Sequence, residues 1–470
     1  MSFNPTDFPR ESEQERMNLL GNYRNLYQND HKDILPLHDK IQKHFESKKS
    51  MIYLAHAIPS LITDNYADFV QGDAEEFRVE NTNDTSDTFV SDIVANNNLK
   101  EEVYNIASVQ SQFGYSVLQT YIDNNSDVRI KRVPSNQFFP QDDGSVVIAT
   151  WKKTNANDDV PNSAKYLVLM EHYTLENGAV RIERQIGRTD QTNKIDELLD
   201  YDRFIGRFRG DKDEQQTLEI DEIPFVLINN LNATHGMFGE SDYQKIMPQL
   251  NEINERASHA SLQLLKNLDS RLVLPDIESV KDEQGQASGD VGDTLVVPEE
   301  SRTPEYLSNE NVLLEELREH IMYNLKIISA VSGVPMMQVL KGNMPDRVTA
   351  LRTKHFRMER KTRSKQSSIA EGIRSAMRIA SKLVPNREPI DPESITIDFG
   401  SVLPEDDTEQ VKREQMKIRA GLTSKKSAIM RIENMDADQA EEELDQIRQE
   451  NRVEGVTDTE NPPQLGDNEN

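Results

Sequence analysis

A chain of 470 residues exceeds what one hydrophobic core usually serves, so two or more domains are expected. It has no cysteine, which excludes disulfides, thiolate catalysis and cysteine-ligated zinc together. A formal net charge of −28 argues against wholesale wrapping of nucleic acid, and no run of about 18 apolar residues is present to span a membrane. The amino-terminal stretch MSFNPTDFPRESEQE is polar and acidic, unlike a signal peptide.

Residues 10–110 read as helical, with Met17, Leu20, Tyr23, Leu26 and Tyr27 near helical spacing. Ile52 to Val70 is the strongest apolar stretch of this region, and Pro59 kinks or divides it. A further helix is expected over Leu99 to Leu118, with Val103, Ile106, Ala107, Val109 and Phe113 at spacings of 3 and 4. From Gln119 to about Arg209 the period changes to two, and an antiparallel β subdomain is expected. Its turns are marked by Asp143-Gly144 and Asn177-Gly178, dipeptides that tolerate the positive φ of type I′ turns. Ile223 to Leu231 reads as one more strand.

Two long helices follow around a polar insert. The first is expected over 241–268, with Tyr243, Ile246, Leu250, Ile253, Ala257, Leu264 and Leu268 on one seam. Pro248 either kinks it or marks its true start. The second runs from about Glu310 to Ser332 along Leu314, Leu317, Ile321, Leu325 and Ile328, and Gly333 with Pro335 supplies the stop. The insert holds a Gly, Ser and Asp rich stretch between Arg271–Leu274 and Thr294–Val297, a small β element with a loop. Ile395 to Phe399 alternates as a strand, and two or three helices are expected over Thr408 to Glu450. The last residues have the composition of a disordered acidic tail.

No GxxxxGK[ST] loop, GxGxxG turn, HExxH or GxSxG occurs, so nucleotide binding and the common hydrolase arrangements find no support. His31, His38 and His44 lie in a polar region and read as solvated or capping residues rather than metal ligands. Asp123-Asn-Asn-Ser-Asp127 begins like a calcium loop, but Val128 stands where glycine is needed; a polar hairpin turn is the simpler reading. No catalytic, cofactor or metal residues are therefore expected. A metal-dependent phosphoesterase or nuclease using scattered carboxylates is the enzymatic alternative.

Residues 347–382 carry eleven Lys and Arg against two acids, Glu359 and Glu371, a charge of +9 in 36 residues, while the other 434 residues carry −37. The segment reads as a helix roughly 50 Å long. Arg352, Lys354, Arg357, Arg360, Lys361, Arg363 and Lys365 occupy nearly all faces of its first half. Ile369, Ile373, Ala376, Met377, Ala380 and Leu383 fill one face of the second half, which is expected to be buried. Three uses of the charge are open: a nucleic-acid surface, pairing with this protein's own acidic surface on another domain or subunit, or a solvated face. The first lacks interleaved aromatics, with Phe356 alone in the charged half.

The order of parts resembles the portal proteins of tailed bacteriophages, in particular the family of long-tailed phages of Gram-positive hosts. The segments that carry the resemblance are Ile223-Pro-Phe-Val-Leu-Ile-Asn-Asn230, Gly239-Glu-Ser-Asp242, Leu250 to Ser258, Ser332-Gly-Val-Pro335, and Gly342-Asn343 leading to Ala350-Leu-Arg-Thr-Lys354. Ile58 to Gly72, Phe113-Gly114-Tyr115 and Val133-Pro134 to Phe139-Pro140 are similar too. One departure is Met344-Pro-Asp-Arg347, where the family commonly has Ser-Gly; Pro345 stiffens that loop.

The resemblance implies an α+β, mainly helical portal fold in a ring of usually twelve subunits around an axial DNA channel. Residues 1–240 would form a wing with the antiparallel β subdomain. Residues 241–268 and 309–334 would be stem helices, 269–308 a small α/β clip, and 335–348 a tunnel loop. Residues 349–403 would be the long basic wing helix and strand, 404–455 a helical crown, and 456–470 a disordered acidic tail. Val339, Leu340, Lys341, Asn343, Met344 and Arg347 would face DNA. Arg352, Lys354, Arg357, Arg360, Lys361 and Arg363 would lie between subunits. Lys281, Asp282, Glu283 and Asp290 would face the terminase large subunit and later head–tail adaptor proteins. Further implied partners are the major capsid and scaffolding proteins and, non-specifically, double-stranded DNA; no membrane and no cofactor are implied. The particle would assemble in the host cytoplasm and keep the protein at a capsid vertex. A capsid adaptor without DNA contact is the structural alternative. Twelve copies at −28 would sum to −336, an acidic wall along which a duplex slides rather than sticks.

Overall fold

The structure is a computed structural model. It describes residues 3–31, 53–72, 77–83, 88–154, 166–190, 194–208, 213–230, 236–268, 271–275, 294–297, 305–307, 312–336, 348–385, 387–400, 407–432, 435 and 437–453. The chain forms two compact units, one of Met1–Met344 with Leu351–Val402 and one of Pro345–Ala350 with Leu403–Asn470.

The first unit begins with helices α1 (Glu11–Tyr27), α2 (Ile58–Gln71), α3 (Phe89–Asn96) and α4 (Leu99–Phe113), with strand β1 (Arg78–Asn81) between α2 and α3. Pro59 does not kink α2. It occupies the first turn, where its missing N–H is no loss. The helix expected to reach Leu118 ends at Phe113, because Gly114 takes a left-handed φ of 86° and turns the chain into a strand.

That strand, β2 (Tyr115–Ile122), is the centre of a three-stranded antiparallel sheet between β3 (Val128–Val133) and β10 (Phe225–Asn229). A second sheet orders β4 (Phe138–Pro140), β5 (Val146–Lys153), β6 (Tyr166–Glu176), β7 (Ala179–Thr189) and β8 (Glu197–Leu199), with β9 (Gln215–Leu218) also on β7. The single β subdomain read from the sequence is thus two sheets. Their facing sides close over Val117, Val133, Phe138, Ile148, Tyr173 and Ile182. The short helix α5 (Tyr201–Phe204) covers Leu167, Leu169 and Ile186. Asn177 and Gly178 both have positive φ, as a type I′ turn requires. The Asp143-Gly144 turn differs. Only Gly144 is left-handed, closing on Gln141 O, while Asp143 Oδ1 accepts from Ser145.

The two long helices are α6 (Met247–Leu268) and α7 (Val312–Ser332). Pro248 marks the start of α6 rather than a kink; residues 242–246 are turns. The seam holds as spaced up to Ile253, where Tyr243, Ile246, Leu250 and Ile253 pack on Leu325 and Ile328. Beyond it Asn254 and Ser258 are buried while Ala257 is half-buried, and the side chains of Leu264, Leu268 and Leu314 lie outside the described residues. Between them β11 (Arg271–Pro275) pairs parallel with β12 (Thr294–Val297) and antiparallel with β13 (Glu305–Leu307), a strand not expected from the sequence. The 36-residue helix α8 (Val348–Leu383) follows. Its second half buries Ile369, Ile373, Ala376, Met377 and Ala380 against α2, α3, α4 and both β2 and β10. Strand β14 (Ile395–Asp398) then pairs antiparallel with β1.

The second unit holds α9 (Asp407–Arg419), α10 (Lys425–Ile432) and α11 (Ala437–Val453), with Gly421 left-handed at the first break. Buried Glu414 is held there by Lys417 at 2.6 Å and Arg431 at 3.4 Å.

Candidate functional site: the joint between the long helices and the helix–sheet body

Segments far apart in sequence converge where α2, α4, α8, the end of β10, the end of α7 and the turn leading into α6 meet. Two glycines permit it. A Cβ on Gly114 would stand 2.2 Å from the Gly239 carbonyl oxygen, and one on Gly239 would stand 2.4 Å from the Gly114 oxygen. Only glycine at both positions allows this approach. The Asn230 N–H donates to Gly114 O at 2.7 Å, and Asn229 Oδ1 accepts the Gly239 N–H at 3.0 Å. Gln110 and Ser368 both donate to Asn229 O, at 2.6 and 2.8 Å, so α4 and α8 grip the end of β10.

At the centre lies Lys365, its side chain fully buried. Its ammonium donates to Asp242 Oδ2 at 2.9 Å and to Asn230 Oδ1, and it stands 4.8 Å from the Tyr66 ring centroid. Asp242 also accepts from Ser111 Oγ at 2.7 Å and from Asn230 Nδ2 at 3.2 Å. A buried ion pair is tolerated when hydrogen bonds satisfy its remaining atoms in this way. Beside it, the Tyr66 hydroxyl donates to Ser332 O at 2.5 Å, and burial pushes that phenol far above its ordinary range. Lys361 donates to Val331 O and Ser332 O at 2.9 and 2.7 Å. Burial lowers the Lys361 pKa, partly countered by Asp242.

Helix α8 therefore has two faces in its charged half. Met358, Thr362 and Lys365 are buried, while Phe356, Arg357, Arg360 and Arg363 are exposed. Arg363 pairs with Glu359 at 2.6 Å. Farther along, Arg374 donates to Ile395 O, Arg378 pairs with Glu222, and Lys382 pairs with Asp221 and Glu222. Much of the +9 is thus answered within the chain itself.

Of the residues singled out in the sequence, Arg357, Arg360 and Arg363 share the exposed side of α8. Lys361 turns inward onto its own chain. Arg352 and Lys354 lie on α8, with their side chains outside the described residues. Val339, Leu340, Lys341, Asn343, Met344 and Arg347 lie outside them altogether, as do Lys281, Asp282, Glu283 and Asp290. His31 is not solvated: it is 1% exposed, and its Nδ1 accepts from Asn254 Nδ2 at 2.9 Å. His38 and His44 lie outside the described residues. Asp123 accepts from the Asn125 and Asp127 N–H groups and pairs with Arg129, which is the polar turn expected. Sequence reasoning missed the roles of Lys365, Asp242, Asn230 and Tyr66. One signal was present: Met358, Thr362, Lys365 and Ile369 continue the buried stripe at spacings of 4, 3 and 4.

Four of the segments that carried the resemblance, around Gly114, Asn230, Gly239–Asp242 and Ser332, converge here, and the family comparison agrees with it. The chain belongs to the phage portal protein family, SPP1 Gp6-like, whose sequence profile matches residues 8–455. It is thereby a component of a phage virion at the capsid vertex. No curated protein matches the chain. Among solved structures it is similar to a chain in the neck of an empty GTA particle computed with C6 symmetry, at 12% identity and TM-score 0.39, covering 83% of this chain and 96% of that one. A chain in the neck of a native GTA particle computed with C12 symmetry gives 12% identity and 0.38, covering 80% and 88%. A chain in the virion of a native gene transfer agent particle gives 12% and 0.39, covering 84% and 98%.

Proposed function

We propose that this chain assembles into a closed ring, of twelve copies, through which double-stranded DNA enters and leaves the capsid. The observation that carries this reading is the joint itself. Four of the segments that carried the resemblance, Phe113–Tyr115, Ile223–Asn230, Gly239–Asp242 and Ser332–Pro335, meet at one place and fasten two long paired helices to a helix–sheet body. In the ring α6 and α7 form the stem, and the strands β11 to β13 belong to the clip that meets the terminase motor and then the adaptors. Val339, Leu340, Lys341, Asn343, Met344 and Arg347 face the DNA, and Lys281, Asp282, Glu283 and Asp290 face the motor. The exposed cations Arg357, Arg360 and Arg363, with Arg352 and Lys354 on the same helix, meet acidic surface of the neighbouring copy. The ring is a conduit, and a separate motor supplies the work.

The test is native mass measurement with negative-stain imaging of the purified chain. Rings of one defined size are expected. A monomer at every ionic strength would overturn the reading. Charge reversal at Lys341 and Arg347 is expected to impair DNA packaging with assembly intact; loss of assembly instead would move those residues to an interface.

A further inference from the structure

The last carbonyls of an α-helix have no donor within the helix. At the end of α7 the chain turns at Gly333, with φ +89°. The Gly333 N–H closes on Ser329 O at 2.9 Å, and Ser329 Oγ donates to Val334 O at 2.7 Å. Val331 O and Ser332 O are answered from outside the helix. Lys361 on α8 donates to both, and Tyr66 on α2 donates to Ser332 O as well. The ammonium also meets the negative end of the helix dipole. The Lys361 side chain packs along Gly333, where an added Cβ would stand 3.5 Å from its Cδ and 3.1 Å from the Tyr66 hydroxyl. Three elements thus share one hydrogen-bonded point at the only left-handed residue of this turn among those described.

We propose that Lys361 is a positioning residue: it locks the carboxyl end of α7 to α8 and, with Tyr66, to α2. Axial displacement of α7 is then carried into the helix–sheet body instead of being absorbed at Gly333. The mechanical part of this proposal stands on the contacts alone; its consequence for DNA passage rests on the portal reading.

The test compares the full-length chain with Lys361→Met, which keeps the aliphatic stem and removes the donors, and Lys361→Arg, which keeps a cation. Loss of two charge-assisted hydrogen bonds predicts amide exchange about tenfold faster at Gly333, Val334 and Met336 in the Met variant. Exchange within β6 and β7 is expected to stay unchanged, and Arg restores protection at the turn. Unchanged exchange at those three amides, or acceleration spread evenly over the chain, would overturn the clamp. In assembled particles the Met variant is expected to form rings normally and to lose DNA packaging, with Arg restoring it. Normal packaging by the Met variant would overturn the functional role. A wild-type chain that forms no ring would sink the portal reading and that functional role together, while the exchange measurement still decides the clamp.

Discussion

At the scale of single residues, the Lys365–Asp242 pair is the most sensitive point of the first unit. Lys365→Met leaves the Asp242 carboxylate nearly buried beside Asn230 without its cation. Breaking such a pair is expected to destabilise the chain by about 3–5 kcal/mol, and adding Asp242→Asn should recover most of it. Denaturant midpoints check both; a single-variant loss under about 1 kcal/mol would show that the pair is not structural. Gly114→Ala forces a left-handed backbone and a Cβ clash at once, and is expected to cost about 3 kcal/mol or more. Two buried histidines contribute to the response to acid. Burial lowers the pKa of His31 and of His172, whose Nε2 meets Ser145 Oγ at 3.0 Å. A base with a depressed folded pKa binds fewer protons folded than unfolded. Stability is therefore full above the ordinary value of 6.5 and falls as pH drops below it, until the depressed folded values are passed. His172→Gln should flatten part of that slope in thermal melts below about pH 6.5; an unchanged slope would exclude His172 as a contributor.

At the scale of elements, α8 is decided by its two faces. Its apolar second half, from Ile369 to Ala380, is legible from spacing alone, and the structure buries it as spaced. The first half is not, because Thr362 and Lys365 occupy buried positions with polar side chains. A lysine breaks any apolar count, and its burial depends on Asp242 and Asn230 arriving from a segment more than 120 residues away. The exposed row of Arg357, Arg360 and Arg363 carries the next prediction. Replacing all three with Gln should weaken ring assembly at low ionic strength. The difference from wild type should fade above about 0.5 M salt, where the Debye length falls to a few Å. Native mass distributions across a salt series measure this. An effect confined to DNA binding would make the row a nucleic-acid surface instead. Boundaries followed local chemistry: Gly114 ended α4 earlier than periodicity implied, and Pro248 began α6 later.

At the scale of the whole molecule, the charge of −28 per copy sets what the proposed ring would do to DNA. A ring of such acidic copies should bind duplex weakly and without sequence preference, its cations at the DNA confined to the loop that carries Lys341 and Arg347. The slope of log affinity against log salt should correspond to about 1–3 phosphate contacts per bound duplex. Titration of purified rings with labelled duplex checks it; a steep slope of 6 or more would mean a gripping channel rather than a sliding one.

The order of elements, the helix–strand–helix succession, the family and the absence of a recognisable nucleotide or metal motif were all readable in the chain by itself. Each rests on periodicity or on short contiguous patterns, which neighbours in sequence determine. The division of the β region into two sheets, the pairing of β1 with β14 and the seating of Lys361 and Lys365 were decided only in three dimensions. Strand partners and buried charges are settled by contacts across hundreds of residues, and a buried lysine looks the same in sequence as a solvated one until its carboxylate is in place.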